Sequence, residues 1–492
     1  MKVTKSFFRI SLALAAAAVL SHASIAWAQV DLTRIAFIGD SEGAGYSAGC
    51  LTKRVQVDSP GAVIARTNGV DYQQPIVNDP GLGGCMILAS LAPSFGKEPS
   101  TGTPANLALP RPYNNLSVGG CAIHDMLVAT TGSEASPGSC RNTIDLVLRN
   151  SALHLGSPVD QAIALSPTFV FLENVGNDYF GAVTTGTIID GVTVTPLAPF
   201  TADYNTALTK LKAKQPKGVV FGVADVTSIP FTTTLPPFLT SGGKLVLNPA
   251  TGAPIPLLGP KCSVGIPACP IPATTLVTLN AAAYLPSGYG IPCAVAPLPN
   301  CNKPLPAAMD AAGNPGVLIY AADAAFLKQR GADYNAAIKA AANASGYKYY
   351  DVNDFLLRLK AGFDLGGITI NAAYLTGGAI SFDGFHLTPI GYALLADDVT
   401  AFINANFNAG LPRPNLTTYL FNGGTNGGLS GSSATYVPLN GEDFERAVQA
   451  IFTPEFAREM ASLFSVSRPP LVQGDSGPVQ RLEPHHGGFE HP

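Results

Sequence analysis

The chain has 492 residues, 47% hydrophobic and only 13% charged, with a formal net charge of −4. That length buries a large core and exceeds the usual single domain, so one enlarged domain or a domain with appendages is expected. The weakly acidic balance argues against a surface built to hold nucleic acid or another polyanion.

Lys2, Lys5 and Arg9 open the chain, an apolar run covers residues 10–20, and Ala26-Trp27-Ala28 puts small residues where a signal peptidase reads. Residues 1–28 are expected to be a secretory signal peptide cleaved before Gln29, because the run is too short for a membrane anchor. Its removal takes three cationic residues and no acidic one, leaving 464 residues with a formal charge of −7. No later run reaches about 18 apolar residues. A mature chain without a transmembrane anchor, secreted or periplasmic, is therefore expected. All eight cysteines (Cys50, Cys85, Cys121, Cys140, Cys262, Cys269, Cys293 and Cys301) lie after residue 28. An even number in an oxidising compartment predicts disulfides, paired within the first four and within the last four. No Cys-x-x-Cys occurs and no histidine clusters with the cysteines, so no metal site is expected there.

In chain order, residues 33–38 form a short apolar run ended by Gly39, read as a buried strand. Residues 115–118 are a candidate strand end. Helices are expected over 143–153 and 159–165, a strand over 168–172, a helix over 204–214 and a strand over 218–223. Strands alternating with helices imply parallel pairing and an α/β fold. The pattern breaks between 226 and 315, which hold 17 of the 41 prolines and four cysteines. Proline removes donors and fixes φ, so this stretch reads as an insertion stitched by its own disulfides. It is a candidate lid or substrate-binding element, with a plain surface excursion as the rival.

Regular structure is expected to resume after Gly316. Residues 317–320 are a candidate strand, 322–342 a helix broken near Gly331, 347–352 the last strand and 354–360 a helix. Residues 389–407 read as a long helix, with Pro389 suited to its first turn. A main domain over 29–410 is then followed by a Pro/Gly/Ser/Asn-rich linker and one amphipathic helix over 442–464. The end, carrying His485, His486 and His491, reads as a disordered, solvated tail.

Four short blocks carry chemistry. Serine needs an exposed position, a base and oxyanion donors to act as a nucleophile. Ser41 follows the first strand on a glycine-flanked turn, Gly39-Asp40-Ser41. In Asp383-Gly384-Phe385-His386, an Asp three residues before a His can hold the imidazole tautomer and leave the other nitrogen as base. His124 and His154 are the only other histidines between residue 28 and the tail. Asn174-Val175-Gly176-Asn177-Asp178 follows the strand ending near Leu172, where an amide can donate to an oxyanion. Asn115-Leu116-Ser117-Val118-Gly119-Gly120 offers a glycine amide for the same purpose. Each block has an ordinary turn or cap as its plainer reading.

Taken in order, Gly39-Asp40-Ser41, Gly120, Gly176-Asn177-Asp178 and Asp383-x-x-His386 resemble the SGNH, or GDSL, hydrolase family over about residues 33–407. The resemblance implies a three-layer α/β/α, flavodoxin-like fold with a mainly parallel sheet. It implies Ser41 as nucleophile, His386 as base and Asp383 as its orienting acid. It also implies an oxyanion hole from the Ser41 and Gly120 amides and the Asn177 side chain, with no cofactor and no metal. Two positions depart from the family pattern: Glu42 stands where Leu is common, and Val175 opens the third block. Gly39-x-Ser41-x-Gly43 also matches the nucleophile elbow of α/β-hydrolases, but that elbow follows several strands and an upstream oxyanion stretch, for which there is no room here.

The expected function is a secreted serine esterase or lipase acting on a small-molecule or lipid ester, since an apolar insertion above the site would suit acyl chains. A polysaccharide O-deacetylase on the same scaffold, or an inactive secreted binding protein, are the alternatives.

Overall fold

The computed structural model describes residues 30–90, 94–214, 216–261, 266–422 and 441–463. The expected signal peptide, Cys262, most of the linker and the histidine-bearing tail lie outside the described residues. Four parallel strands form the central sheet: β1 (Ile35–Ile38), β2 (Phe169–Leu172), β3 (Lys217–Phe221) and β4 (Lys348–Tyr350), adjacent in that order. A parallel bridge between Phe37 and Asn115 adds a fifth segment outside β1, with the Phe37 N–H donating to the Asn114 carbonyl at 2.8 Å. Strands β1 and β2 are buried along their whole length. Such continuous apolar runs, rather than alternating ones, are what a parallel sheet covered on both faces requires. Phe37 stacks on Phe171 at 5.1 Å, and Phe221 meets Tyr350 at 5.0 Å, so aromatic contacts run across the sheet.

Between and after the strands run helices α1 (Ser41–Ala44), α2 (Pro60–Thr67), α3 (Ile123–Val128), α4 (Pro158–Ala164), α5 (Asn177–Thr185), α6 (Leu197–Lys212), α7 (Ala321–Ser345), α8 (Val352–Ala361) and α9 (Pro389–Phe407). Helix α6 packs on α3, α4 and α7, whereas α9 packs on α2. The fold is thus mixed α/β around a parallel sheet. Among the described residues no helix is long and apolar enough to cross a membrane.

Three expectations change. The helix near Gly331 does not break: α7 is continuous, and a Cβ at Gly331 would come within 2.7 Å of the Tyr179 hydroxyl. That glycine serves a close helix approach, not an interruption. The helix over 143–153 is interrupted at Arg149, between Ser139–Leu148 and a short turn Asn150–Leu153, because Arg149 turns left-handed (φ 49°) and sends its guanidinium to the Leu109 and Arg111 carbonyls at 2.6 and 2.7 Å. The single helix over 442–464 is two, α10 (Gly441–Ile451) and α11 (Pro454–Leu463). Pro454 cannot donate to a preceding turn and so starts a new helix.

These two helices pack on the main body, with Ala447, Val448, Ile451, Phe452, Phe456 and Met460 all buried in its core. The insertion builds a second apolar cluster of its own, including Leu257, Ile271, Val277 and Leu305. The strand near residue 318 joins this cluster: Leu318–Ile319 pairs antiparallel with Leu276–Val277, outside the main sheet. Disulfides link Cys50 to Cys85, Cys121 to Cys140 and Cys293 to Cys301, all within their expected groups. Cys269 is also disulfide-bonded.

Candidate active site

Strand β1 delivers the chain into Gly39, where a Cβ would lie 2.3 Å from Glu173 Oε2 and 2.8 Å from Ser117 Oγ. A side chain here would have to displace both groups. Asp40 then caps α1: its Oδ1 accepts the Glu42 N–H at 3.0 Å, and its Oδ2 accepts the Val175 N–H at 3.0 Å. Glu173, the residue directly after β2, accepts the Asp40 and Gly43 amides on Oε2 at 3.0 and 3.1 Å. Carboxyl oxygens thereby take the amides of Asp40, Glu42 and Gly43, while the Ser41 amide between them donates to no group among the described residues.

Gly120 sits in the left-handed region at φ 79°, in a turn held by the Cys121–Cys140 disulfide. A Cβ there would also press on the Cys140 amide nitrogen at 3.0 Å. Asn177 is the first residue of α5, and its Nδ2 donates to the Cys121 carbonyl at 3.2 Å, placing its side chain against the Gly120 turn. Asp178 ties the same two blocks together, accepting the Ile123 N–H at 3.1 Å and the Asn174 amide at 2.8 Å.

The loop before α9 holds the acid and the imidazole. His386 Nδ1 lies 2.8 Å from Asp383 Oδ2, which also accepts the Gly49 N–H at 2.8 Å. Asp383 Oδ1 accepts the Ser381 hydroxyl at 2.8 Å and the His386 N–H at 3.0 Å. Burial alone would raise the Asp383 pKa. The adjoining imidazole and these donors outweigh it and hold the carboxyl below its ordinary value. For His386, burial acts to lower the pKa, but the Asp383 carboxylate, aided by Glu42 and Asp40, raises it above the usual histidine value. The ring is seated between Tyr46, at 5.7 Å, and Phe385, at 4.4 Å.

Ser41, Asn177 and His386 line one cavity of about 60 Å³, walled on its apolar side by Phe180, Val226, Ile229 and Phe385. Gly120 adjoins it through the Asn177–Cys121 contact. The other two histidines lie elsewhere: His124 pairs with Asp203 at 3.0 Å, and His154 lines a separate surface depression. Among the described residues, one group of metal-ligating type comes together, Cys121, Asp125 and Cys140. Its two thiols are joined to each other, and Asp125 accepts the Ala122 and Ser136 amides.

Sequence reasoning missed Glu173, although a glutamate between an apolar strand and the Asn174 block was visible. It also left the carboxyls around Ser41 unexamined. Desolvation raises Asp40 to about 6 and Glu42 to about 8, and pushes Glu173 well above the usual carboxylate range. The Tyr392 hydroxyl, which donates to the Tyr46 carbonyl at 2.5 Å, also faces Glu42. This makes Glu42, where the resemblance leads one to expect Leu, a polar member of the cavity wall. No family model and no curated protein matches the chain.

Proposed function

We propose that the protein is a secreted serine ester hydrolase of the SGNH type, acting through an acyl-serine intermediate. The observation that carries this reading is the Asp383–His386 pair at 2.8 Å, opening with Ser41 and Asn177 onto one cavity. The strand arrangement supports it. Numbered along the chain with the Asn115 segment as the second strand, the spatial order is 2-1-3-4-5, the doubly wound order of flavodoxin-like three-layer folds. Ser41 and Asn177 follow strands one and three, which flank the switch point where such sheets place their ligands.

In this mechanism His386 takes the Ser41 hydroxyl proton as Oγ attacks the ester carbonyl. Asp383 holds the imidazole through Nδ1 and stabilises the imidazolium. The oxyanion gathers the Ser41 and Gly120 amides and the Asn177 side chain. His386 then gives its proton to the departing alcohol, and afterwards takes one from the water that frees the acyl group from Ser41. No metal or cofactor is called for by these steps.

A fluorophosphonate probe tests the reading, because only an activated serine reacts. Labelling of the wild-type chain at Ser41, lost in Ser41→Ala together with ester hydrolysis, is the expected result. An unlabelled, folded wild-type protein would overturn it.

A further inference from the structure

We infer that the substrate is a short-chain ester, acetyl in size, of a bulky hydroxylated alcohol, a carbohydrate by chemical class. This rests on the hydrolase reading above and adds to it the nature of both halves of the ester.

The acyl side is set by the catalytic cavity. An apolar cavity of about 150 Å³ takes a benzene ring. At about 60 Å³, the space beside Ser41 holds much less, walled by Phe180 and Val226. The expectation of a lipid substrate relied on the apolar insertion. The insertion does form an apolar cavity of about 310 Å³ with α10, walled by Leu235, Phe238, Leu257 and Val448, but it shares no residue with the catalytic cavity. It meets the larger groove of the alcohol side at Thr234, so an acyl chain from Ser41 would have to leave the catalytic cavity and cross that groove to reach it.

The alcohol side is set by a second groove. It has a volume of about 680 Å³ and shares Ile229 and Phe385 with the catalytic cavity. Phe385 precedes His386, the group that protonates the leaving alcohol, so the groove lies on the leaving-group side. Its size is that of a site for a substantial ligand. Ser228, Asn371, Lys328 and Lys360 put polar groups along it, and Tyr374 and Leu357 give it apolar faces. Hydroxyl-rich rings with apolar faces match such a mixed lining.

The test uses the full secreted chain. Rates on p-nitrophenyl acetate and octanoate read the acyl side. Because one methylene in a tight pocket changes specificity about 10–200-fold, kcat/KM for acetate should exceed that for octanoate by at least about 100-fold. Val226→Ala should narrow that gap. Leu357→Trp, at a position 66% exposed, reads the alcohol side without touching the core. It should lower kcat/KM for O-acetylated cellobiose at least about tenfold more than for p-nitrophenyl acetate. Octanoate turned over as well as acetate, or equal losses on both acetates in Leu357→Trp, would overturn the inference. Fluorophosphonate labelling of the same preparation separates the two levels: labelled protein that prefers octanoate loses only the substrate assignment, while unlabelled protein loses the hydrolase reading as well.

Discussion

Glu173 Oε2 accepts the Asp40 N–H at 3.0 Å, joining the residue after the second strand to the residue before Ser41 across 133 positions of chain. The same oxygen takes the Gly43 amide, so one carboxyl braces both ends of the serine turn. Desolvation pushes the Glu173 pKa well above the usual carboxylate range, which favours its neutral form as the acceptor. Glu173→Gln keeps that acceptor and should leave stability and turnover near wild type. Glu173→Ala strands two buried amides at about 1–3 kcal/mol each, so a loss of about 2–6 kcal/mol is expected in urea unfolding.

The oxyanion and base assignments predict different losses. Asn177→Ala should lower kcat on the order of 10²–10³. Asp383→Asn leaves His386 in the wrong tautomer and should cost on the order of 10⁴. Both are read from steady-state kinetics on a p-nitrophenyl ester, with circular dichroism confirming that each variant is folded.

The pH profile follows from His386, which must be neutral to act as base. Its pKa is raised chiefly by Asp383 and also by Glu42 and Asp40, so the acid limb of kcat/KM should lie above the ordinary histidine value of about 6.5.

Stability should show the opposite trend from the usual acid-sensitive protein at these carboxyls. Asp40 and Glu42 have folded pKa values of about 6 and about 8, above their unfolded values. Between the unfolded and folded pKa the folded state holds more protons, so their contribution is greatest below about 4 and is lost as pH rises to about 8. Glu42→Gln should flatten the fall in the urea midpoint between pH 5 and 8.

Helices α10 and α11 are bound into the core beside the site. Phe452 meets Phe231 at 6.1 Å, and Phe456 packs on Gly49, whose amide donates to Asp383. Phe452→Ala should cost about 3–5 kcal/mol, and a chain ended at residue 440 should be both less stable and less active, measured by urea unfolding and esterase assay.

What the linear order determined is what short range controls. An apolar run ended by Gly39 marked β1 and a β-branched and aromatic run marked β2, because a strand buried on both faces needs little but apolar side chains. Asp383 and His386 were legible as a pair because three residues of one loop suffice to bring them together. The Pro454 break and the seating of Gly331 against Tyr179 were not legible in the same way. A proline and a glycine each have several local meanings, and packing chooses among them. Only the tertiary structure decided that Glu173 braces the Ser41 turn, that Glu42 enters the cavity wall, and that the insertion's apolar space shares no wall with the cavity of the serine. Those features are sums of contacts between segments more than a hundred residues apart, and cavity size is what remains after all of them have packed.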